Sequence, residues 1–281
     1  MTTPHTRPVF ILGSGRCGTL ALAQSLATVG QVEVHHEYLF ENILADAVLC
    51  FLGRIPQQEM TRRLERLHGA AVHYCQKPIW VDCSNALPWI IKPLNALFPD
   101  ARFVHVVRNG RRVVSSFFHK FERIMYPDDA VRILNDWLEG RYPVEPPPEK
   151  KYWRPIPVNG MAYYGTFESM DRFERLCYYW ALINNHVRHE FESIDEERIA
   201  RFRFEDLLSE RIFGEFTEFI GIDDAGGPFN AMKRPVNVHI PRTFPLTSEQ
   251  ECSFRRLCSE TMVSFGYQND DDYEVEYHPA L

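Results

Sequence analysis

The chain has 281 residues, 45% of them hydrophobic, and a formal charge of −7. This size and apolar content suffice for one full hydrophobic core, and the acidic balance argues against a nucleic-acid-binding protein. No apolar run reaches the ~18 residues of a membrane span. The polar stretch Met1 to Arg7 has no signal-peptide core, and seven cysteines without Cys-x-x-Cys pairs argue against a disulfide framework or a zinc site. We therefore expect a soluble, cytoplasmic protein with reduced thiols.

The first predicted element is a buried strand, Pro8 to Leu12, that turns into a helix starting near Leu20. The turn between them reads Gly13-Ser14-Gly15-Arg16-Cys17-Gly18-Thr19. Glycines let the backbone turn tightly and bring its N–H groups close to an anion, and the helix N-terminus adds partial positive charge. The segment is therefore predicted to bind phosphate.

Three phosphate chemistries fit this turn to different degrees. An ATPase P-loop requires a lysine after its last glycine, but Thr19 follows Gly18 directly. The glycine spacing also satisfies Gly-x-Gly-x-x-Gly, with Glu33 and Glu37 about 20 residues on, as in a dinucleotide-binding fold. The third candidate is a loop for a 5′-phosphosulfate, with Arg16 as its cation. The turn alone does not choose among them.

The next elements are a strand over 32–36 that ends on His35-His36-Glu37, helices to about Leu67, a strand over 79–83 and a helix over 86–97. Glu37 and His36 are candidate general bases, because the strand's carboxyl end should lie beside the turn. Ser84 and Asn85 have two open roles: they donate hydrogen bonds to a reacting group, or they cap the following helix.

A second anion site is predicted where the strand Phe103 to Val107 ends on Arg108 and a helix begins near Gly110. Ser115 and Ser116 lie on the second turn of that helix, so one hydroxyl can face the same space as the Arg108 guanidinium. Ligands bind at this edge of an open parallel sheet. A dinucleotide needs no second phosphate clamp, whereas a nucleotide phosphorylated at both the 3′ and 5′ positions does.

The rest of the chain completes an α/β pattern. The proline-rich segment 141–160 is either a lid or wall of an acceptor pocket, with Tyr152 and Trp153 as apolar contacts, or a passive surface loop. A long aromatic helix over 167–191, a strand over 200–204 and closing helices follow. The alternation predicts a single domain over 1–281, with a central parallel sheet flanked by helices and a P-loop-like strand, loop and helix at its start.

The two anion motifs, in this order, resemble the sulfotransferases that use 3′-phosphoadenosine 5′-phosphosulfate (PAPS). Gly13 to Thr19 looks like their 5′-phosphosulfate loop, and Arg108 to Ser116 looks like their 3′-phosphate motif. Weaker similarity covers 98–103, 203–208, 246–250 and 265–267. The likeness is closer to the carbohydrate, protein and bacterial branches than to the cytosolic small-molecule branch.

The resemblance implies sulfuryl transfer from PAPS to a hydroxyl or amine of a small-molecule, lipid or carbohydrate acceptor, leaving adenosine 3′,5′-bisphosphate (PAP). We expect no metal, because a sulfuryl group carries less charge than a phosphoryl group. The alternative is an NAD(P)- or flavin-dependent oxidoreductase.

Individual roles follow from the resemblance. The base is Glu37, with His36 as the second candidate, and Arg16 stabilises the leaving group. Relatives often carry a catalytic lysine near 80–85, where this chain has none, and the nearest lysine is Lys77, before the strand. The residues implied to bind the donor are Gly13, Ser14, Gly15, Arg16, Cys17, Gly18, Thr19, Leu20, Arg108, Ser116, Phe204 against adenine, and Arg242. The acceptor-side candidates are Ser84, Asn85, Tyr152 and Trp153.

Cys17 has two open interpretations. At a helix N-terminus beside Arg16, its thiol pKa could be lowered, which would make it sensitive to oxidation. Alternatively, it is a small residue whose backbone N–H serves the loop.

Overall fold

The computed structural model describes residues 6–121, 124–147, 154–223, 226–233 and 246–267, and it has a five-stranded parallel sheet at its centre. The strands are β1 (Arg7–Leu12), β2 (Val32–His36), β3 (Ile79–Ser84), β4 (Arg102–Val107) and β5 (Ile199–Arg203). Their order across the sheet is β2-β3-β1-β4-β5, and every neighbouring pair is parallel. The predicted α/β class and parallel sheet are confirmed.

Helices cover both faces of the sheet. In the described residues they are α1 (Thr19–Leu26), α2 (Phe40–Phe51), α3 (Gln57–Leu64), α4 (Ala70–Tyr74), α5 (Ile91–Leu97), α6 (Gly110–Lys120), α7 (Asp128–Leu138), α8 (Arg172–Glu190), α9 (Glu210–Ile220), α10 (Gly226–Met232) and α11 (Ser248–Ser264). A π-helix, Glu65–Gly69, joins α3 to α4, and a 3-10 helix, Leu87–Ile90, precedes α5.

The central strand β1 explains the layering. Val9 and Ile11 point into one hydrophobic cluster, whereas Phe10 and Leu12 point into the cluster on the opposite face, and all four are fully buried. A strand that is buried on both faces reads as a continuous apolar run, which is why the sequence predicts it well. The glycine-rich turn therefore emerges from the middle of the sheet.

Several element boundaries differ from the sequence prediction. The helix expected over 86–97 begins as a 3-10 turn, and the long aromatic helix expected from 167 begins at Arg172, after a separate 3-10 turn over Phe167–Ser169. Helix α7 was not predicted at all. None of these shifts moves the carboxyl ends of the strands. In the described part of the chain, no helix is both long and apolar enough to cross a membrane.

The strand order bears on the dinucleotide alternative. In the Rossmann arrangement, strand 2 lies beside strand 1, whereas here β3 pairs with β1 and β2 pairs with the outer edge of β3. Glu33 and Glu37 are therefore not on the strand next to β1. The oxidoreductase alternative is not supported.

A buried histidine in β4 gives a stability prediction. His105 is fully buried and pairs through Nε2 with Asn184 Oδ1 at 3.0 Å, and burial lowers its pKa to about 3. In the unfolded chain the pKa of histidine is ~6.5. Between these two pH values, His105 binds a proton in the unfolded chain but not in the folded protein. The stability present at neutral pH should therefore fall as the pH drops below ~6.5, by up to ~1.4 kcal/mol per pH unit for this histidine.

Urea unfolding at pH 7.5 and pH 5.0 measures this effect. His105→Gln should show a smaller loss of unfolding free energy between the two pH values than the wild type. His189→Gln, which changes an exposed histidine paired with Glu192, is the matched control and should keep the wild-type loss. Equal losses in wild type and His105→Gln would contradict the prediction.

Candidate active site

The glycine-rich turn has the backbone geometry of an anion-binding loop. Gly15 and Gly18 have positive φ values of 78° and 96°, and Arg16 also lies in the left-handed region, at 56°. A Cβ at Gly18 would overlap the ring of Phe204, so the residue must be glycine for both conformational and packing reasons. Helix α1 then begins at Thr19.

The two predicted anion motifs meet and are joined by hydrogen bonds. Arg16 Nε donates to Ser116 Oγ at 2.9 Å, and Arg108 Nη1 donates to the backbone carbonyl of Arg16 at 3.0 Å. Each motif thus provides a hydrogen-bond partner for the other. The centre of the Phe204 ring lies 5.1 Å from the Arg108 guanidinium carbon, and the same ring lies next to Gly18, so Phe204 packs between Gly18 and Arg108.

Two aromatic residues of α8 donate hydrogen bonds to the backbone of the two motifs. Tyr179 and Trp180 are both fully buried. Tyr179 also donates its hydroxyl to the carbonyl of Ser14 at 2.9 Å, and Trp180 Nε1 donates to the carbonyl of Arg108 at 3.3 Å. Buried tyrosine and tryptophan usually need such a polar partner, which was the available signal.

Glu37 lies just after β2 in a strained turn. Its φ is 60°, and its N–H donates to the carbonyl of Cys83 at 3.0 Å. Asn85 Nδ2 donates to Glu37 Oε1 at 2.7 Å, and the same amide lies next to Gly15 in the loop. Asn85 therefore positions the carboxylate beside the loop, a role that neither sequence alternative included. The Ser84 hydroxyl accepts from the Ala86 N–H at 3.1 Å within the turn before the 3-10 helix, and that helix has Ala86 as its N-cap and no side-chain cap.

His36, the second candidate base, faces the start of α1. Its Nε2 lies 3.3 Å from Thr19 Oγ1. Burial lowers the pKa of His36, and the carboxylates of Glu37 and Asp82 partly oppose this. The imidazole is therefore biased toward its neutral form, in which it can hydrogen bond to the Thr19 hydroxyl.

The oxidation-sensitive interpretation of Cys17 is wrong. The thiol is fully buried, and burial raises its pKa although Arg108 and nearby backbone groups act in the opposite direction. The helix N-terminus does not compensate for the lost hydration. Cys17 is thus a small packed residue, and its sulfur lies where a Cβ on Gly13 would be.

Lys120 is a further cation near Arg16, and neither sequence motif indicated it. Its Nζ lies 5.2 Å from the centre of the Phe121 ring, and the Arg16 guanidinium lies 5.8 Å from the same centre. Partial burial and then the charge of Arg16 lower the Lys120 pKa. The end of α6 therefore adds positive charge next to Arg16.

Residues 154–156 of the proline-rich segment pack against the protein core. Arg154 is buried with its guanidinium 5.4 Å from the Tyr179 ring centre, and the Tyr126 hydroxyl donates to the carbonyl of Pro155 at 2.7 Å. Ile156 is also buried. This end of the segment therefore packs beside the residue that supports the loop. Three other predicted site residues, Tyr152, Trp153 and Arg242, lie outside the described residues.

Replacing Gly18 by alanine is expected to damage the site. The positive φ and the overlap with Phe204 should together cost ~1–3 kcal/mol of unfolding free energy. Urea unfolding measures the loss. Gly30→Ala is the matched control, because a Cβ there meets open space, and it should stay within ~0.5 kcal/mol of the wild type. Gly18→Ala with wild-type stability would contradict this geometry.

Comparisons with known proteins agree with the two motifs. Residues 8–142 match the family model described as "Sulfotransferase family". Among solved structures, the chain is similar to the sulfotransferase domain of the Synechococcus PCC 7002 olefin synthase, with 13% identity over 93% of this chain and 96% of that one and a TM-score of 0.51. It is also similar to a sulfotransferase from Alicyclobacillus acidocaldarius, with 14% identity, 92% and 96% coverage and a TM-score of 0.49.

A third similar structure is mouse sulfotransferase SULT7A1 complexed with PAP, with 14% identity, 92% and 85% coverage and a TM-score of 0.43. At such low identity, the likeness to solved structures shows the fold alone. No curated protein sequence matches the chain. Within the residues that the structure describes, no group of three or more histidine, cysteine, aspartate or glutamate side chains is arranged to hold a metal ion.

Proposed function

Residues 8–142 match the sulfotransferase family model, and on this premise we propose that the chain moves a sulfuryl group from PAPS to a hydroxyl or amine acceptor. The observation that carries the proposal is the pair of crossed contacts, Arg16 to Ser116 and Arg108 to the Arg16 carbonyl. They bring two cations and two loop segments into one cleft at the carboxyl edge of the sheet. A nucleotide with phosphates at both ends needs such a double site.

The donor's two ends are assigned to the two motifs. The backbone N–H groups of the loop, Arg16 and the Thr19 hydroxyl would hold the 5′-phosphosulfate, since a helix N-terminus and a guanidinium both favour anions. Arg108 and Ser116 would hold the 3′-phosphate, and Phe204 offers an apolar face for adenine. PAPS supplies an activated sulfuryl group whose leaving group is a phosphate oxygen.

The chain's own residues then handle the charge and the proton. The acceptor oxygen or nitrogen bonds to sulfur while the bond from sulfur to the 5′-phosphate oxygen breaks, and Glu37 takes the acceptor's proton. Asn85 holds the Glu37 carboxylate next to Gly15, so the base lies beside the loop that holds the sulfuryl group. Arg16 and Lys120 stabilise the negative charge that develops on the leaving oxygen.

The acceptor side is assigned to the proline-rich segment. Residues 154–156 of this segment, which we take as a wall of the acceptor pocket, pack near Tyr179, which supports the loop. We propose that this wall borders the acceptor and that the acceptor is a small molecule, a lipid or a carbohydrate. We also propose that the protein is cytoplasmic and that it is closer to the carbohydrate, protein and bacterial branches of the family than to the cytosolic small-molecule branch.

Calorimetric titration tests the donor assignment. PAP should bind with a micromolar or lower Kd, and NADPH should bind far more weakly. Adenosine 5′-phosphate, which lacks the 3′-phosphate, is the matched probe and should bind at least tenfold more weakly than PAP. Absence of PAP binding at micromolar concentration would overturn the proposal, and preference for NADPH would restore the oxidoreductase alternative.

A further inference from the structure

A buried carboxylate lies behind the turn that carries Glu37. Asp82, on β3, is fully buried, and its Oδ1 accepts from the Tyr38 N–H at 3.1 Å. Its Oδ2 lies 3.4 Å from Nε2 of His68, which is also fully buried. A carboxylate is unfavourable in the protein interior unless hydrogen bonds compensate the lost hydration. Apart from the contact between Asp82 and His68, the Asp82 side chain accepts a hydrogen bond from the backbone amide of Tyr38, the residue next to Glu37.

Local structure brings His68 to Asp82 in an unusual way. His68 belongs to the π-helix Glu65–Gly69, and it is the buried residue of that segment. π-helical turns are rare and occur frequently at functional sites. Aromatic rings surround the imidazole, with centroid distances of 6.4 Å to Phe10, 5.3 Å to Tyr38 and 5.7 Å to Trp80. The pair is therefore packed among rings.

The turn that Asp82 contacts is strained. Glu37 and Leu39 have φ values of 60° and 48°, a region that non-glycine residues rarely adopt. Backbone hydrogen bonds hold both ends of the turn: the Glu37 N–H donates to the Cys83 carbonyl, the Phe40 N–H donates to the Glu37 carbonyl, and the N–H groups of Asn42 and Ile43 donate to the Leu39 carbonyl. A further contact, from the Tyr38 N–H, ends on the Asp82 side chain. Strain of this kind persists only where surrounding contacts hold it.

We infer that Asp82, oriented by His68, is a positioning residue that holds the Glu37 turn in the conformation needed for proton transfer. Asp82 fixes the backbone at Tyr38, and Asn85 fixes the Glu37 carboxylate from the other side. Neither touches the transferred group through this contact. The inference rests on the proposed role of Glu37 as the base.

Two substitutions of Asp82 separate positioning from packing. Asp82→Leu fills a similar volume but accepts no hydrogen bond, and it should lower kcat at least tenfold while the Kd for PAP stays within twofold. Asp82→Asn keeps an amide oxygen for the Tyr38 N–H and should restore kcat to within threefold of the wild type. Unchanged kcat in Asp82→Leu, or equal loss in both variants, would overturn the inference.

The control removes a buried carboxylate elsewhere. Glu190 is 6% exposed and pairs with Lys92 at 2.9 Å on the outer end of α8. Glu190→Gln should keep kcat within twofold. A tenfold loss in this control would show that kcat responds to any buried charge and would overturn the positioning role.

Amide hydrogen exchange tests the contact in the wild type, whether or not Asp82→Leu folds. The Tyr38 amide should exchange at least tenfold more slowly than in an unfolded chain, and Asp82→Asn should retain this protection. Exchange at the unfolded rate would overturn the inference. This readout does not depend on catalysis, so it also separates a failure of Asp82 positioning from a failure of Glu37 as the base.

Discussion

Replacing Arg108 by alanine is expected to abolish PAP binding at micromolar concentrations. Arg108 directly follows β4 and donates to the Arg16 carbonyl, and Arg16 in turn donates to Ser116. A hydrogen bond to a charged group contributes ~1.5–3 kcal/mol, so its loss should raise Kd by about 12- to 140-fold. Loosening of the loop through the lost contact to Arg16 adds to this effect. Titration calorimetry measures the change.

A second probe separates the two roles of Arg108. Adenosine 5′-phosphate has no 3′-phosphate, so a direct contact predicts that Arg108→Ala weakens PAP binding much more than adenosine 5′-phosphate binding. If Arg108 only supports the loop, both ligands should weaken equally. Arg108→Lys keeps a charge but loses the planar fork, so it should recover only part of the affinity.

Arg211→Ala is the control for net charge. Arg211 lies exposed on α9 and pairs with Glu215, away from both motifs. It should leave the Kd for PAP within twofold of the wild type. PAP affinity that survives Arg108→Ala would remove the 3′-phosphate assignment, and with it the main reason for reading the two motifs as one site.

The sequence predicts the strands and the two motifs well because their signals are local. β1 and β4 are continuous apolar runs that end on polar turns, and the observed bounds agree with the predicted ones. Parallel strands place their carboxyl ends on one edge, so the meeting of the loop with Arg108 follows from the fold class alone. The contact from Arg16 to Ser116 shows how close this meeting is.

The support behind the site could not be predicted because it depends on strand order. Asn85 reaches Glu37 because β3 lies between β1 and β2 in the sheet. This strand order cannot be predicted from the local periodicity of apolar residues. The same adjacency places Asp82 under Tyr38. The hydrogen bonds from the Tyr179 hydroxyl and the Trp180 indole were not predicted, because apolar and aromatic residues at helical spacing indicate core packing without naming a polar partner.

Helix α7 shows a different limit. Its strongly amphipathic sequence, Asp128 to Leu138, lies between a predicted helix and the proline-rich segment, and its apolar residues Val131, Leu134 and Leu138 are buried. The acidic first turn, Asp128 and Asp129, is a usable start signal. The acidic start and the helical spacing of the apolar residues would have been enough to predict this helix from the sequence.

Replacing Glu37 by glutamine is expected to abolish sulfuryl transfer without affecting donor binding. Glutamine keeps an Oε1 that can accept from Asn85 Nδ2, so the strained turn and the side-chain position should persist. What is lost is a group that can take the acceptor's proton. General base catalysis typically contributes 10²- to 10⁴-fold, so kcat should fall by about that factor. Transfer from radiolabelled PAPS to an accepted substrate measures kcat, and calorimetry with PAP should give a Kd within twofold of the wild type.

The control for this substitution is Glu33→Gln on the same strand. Glu33 pairs with His35 at 3.1 Å and does not contact the loop residues described above, so its loss should leave kcat within twofold. His36→Gln tests the second candidate base. Because His36 contacts Thr19 at the start of α1, its replacement should weaken PAP binding as well as transfer. Retained turnover in Glu37→Gln together with lost turnover and intact PAP binding in His36→Gln would move the base to His36.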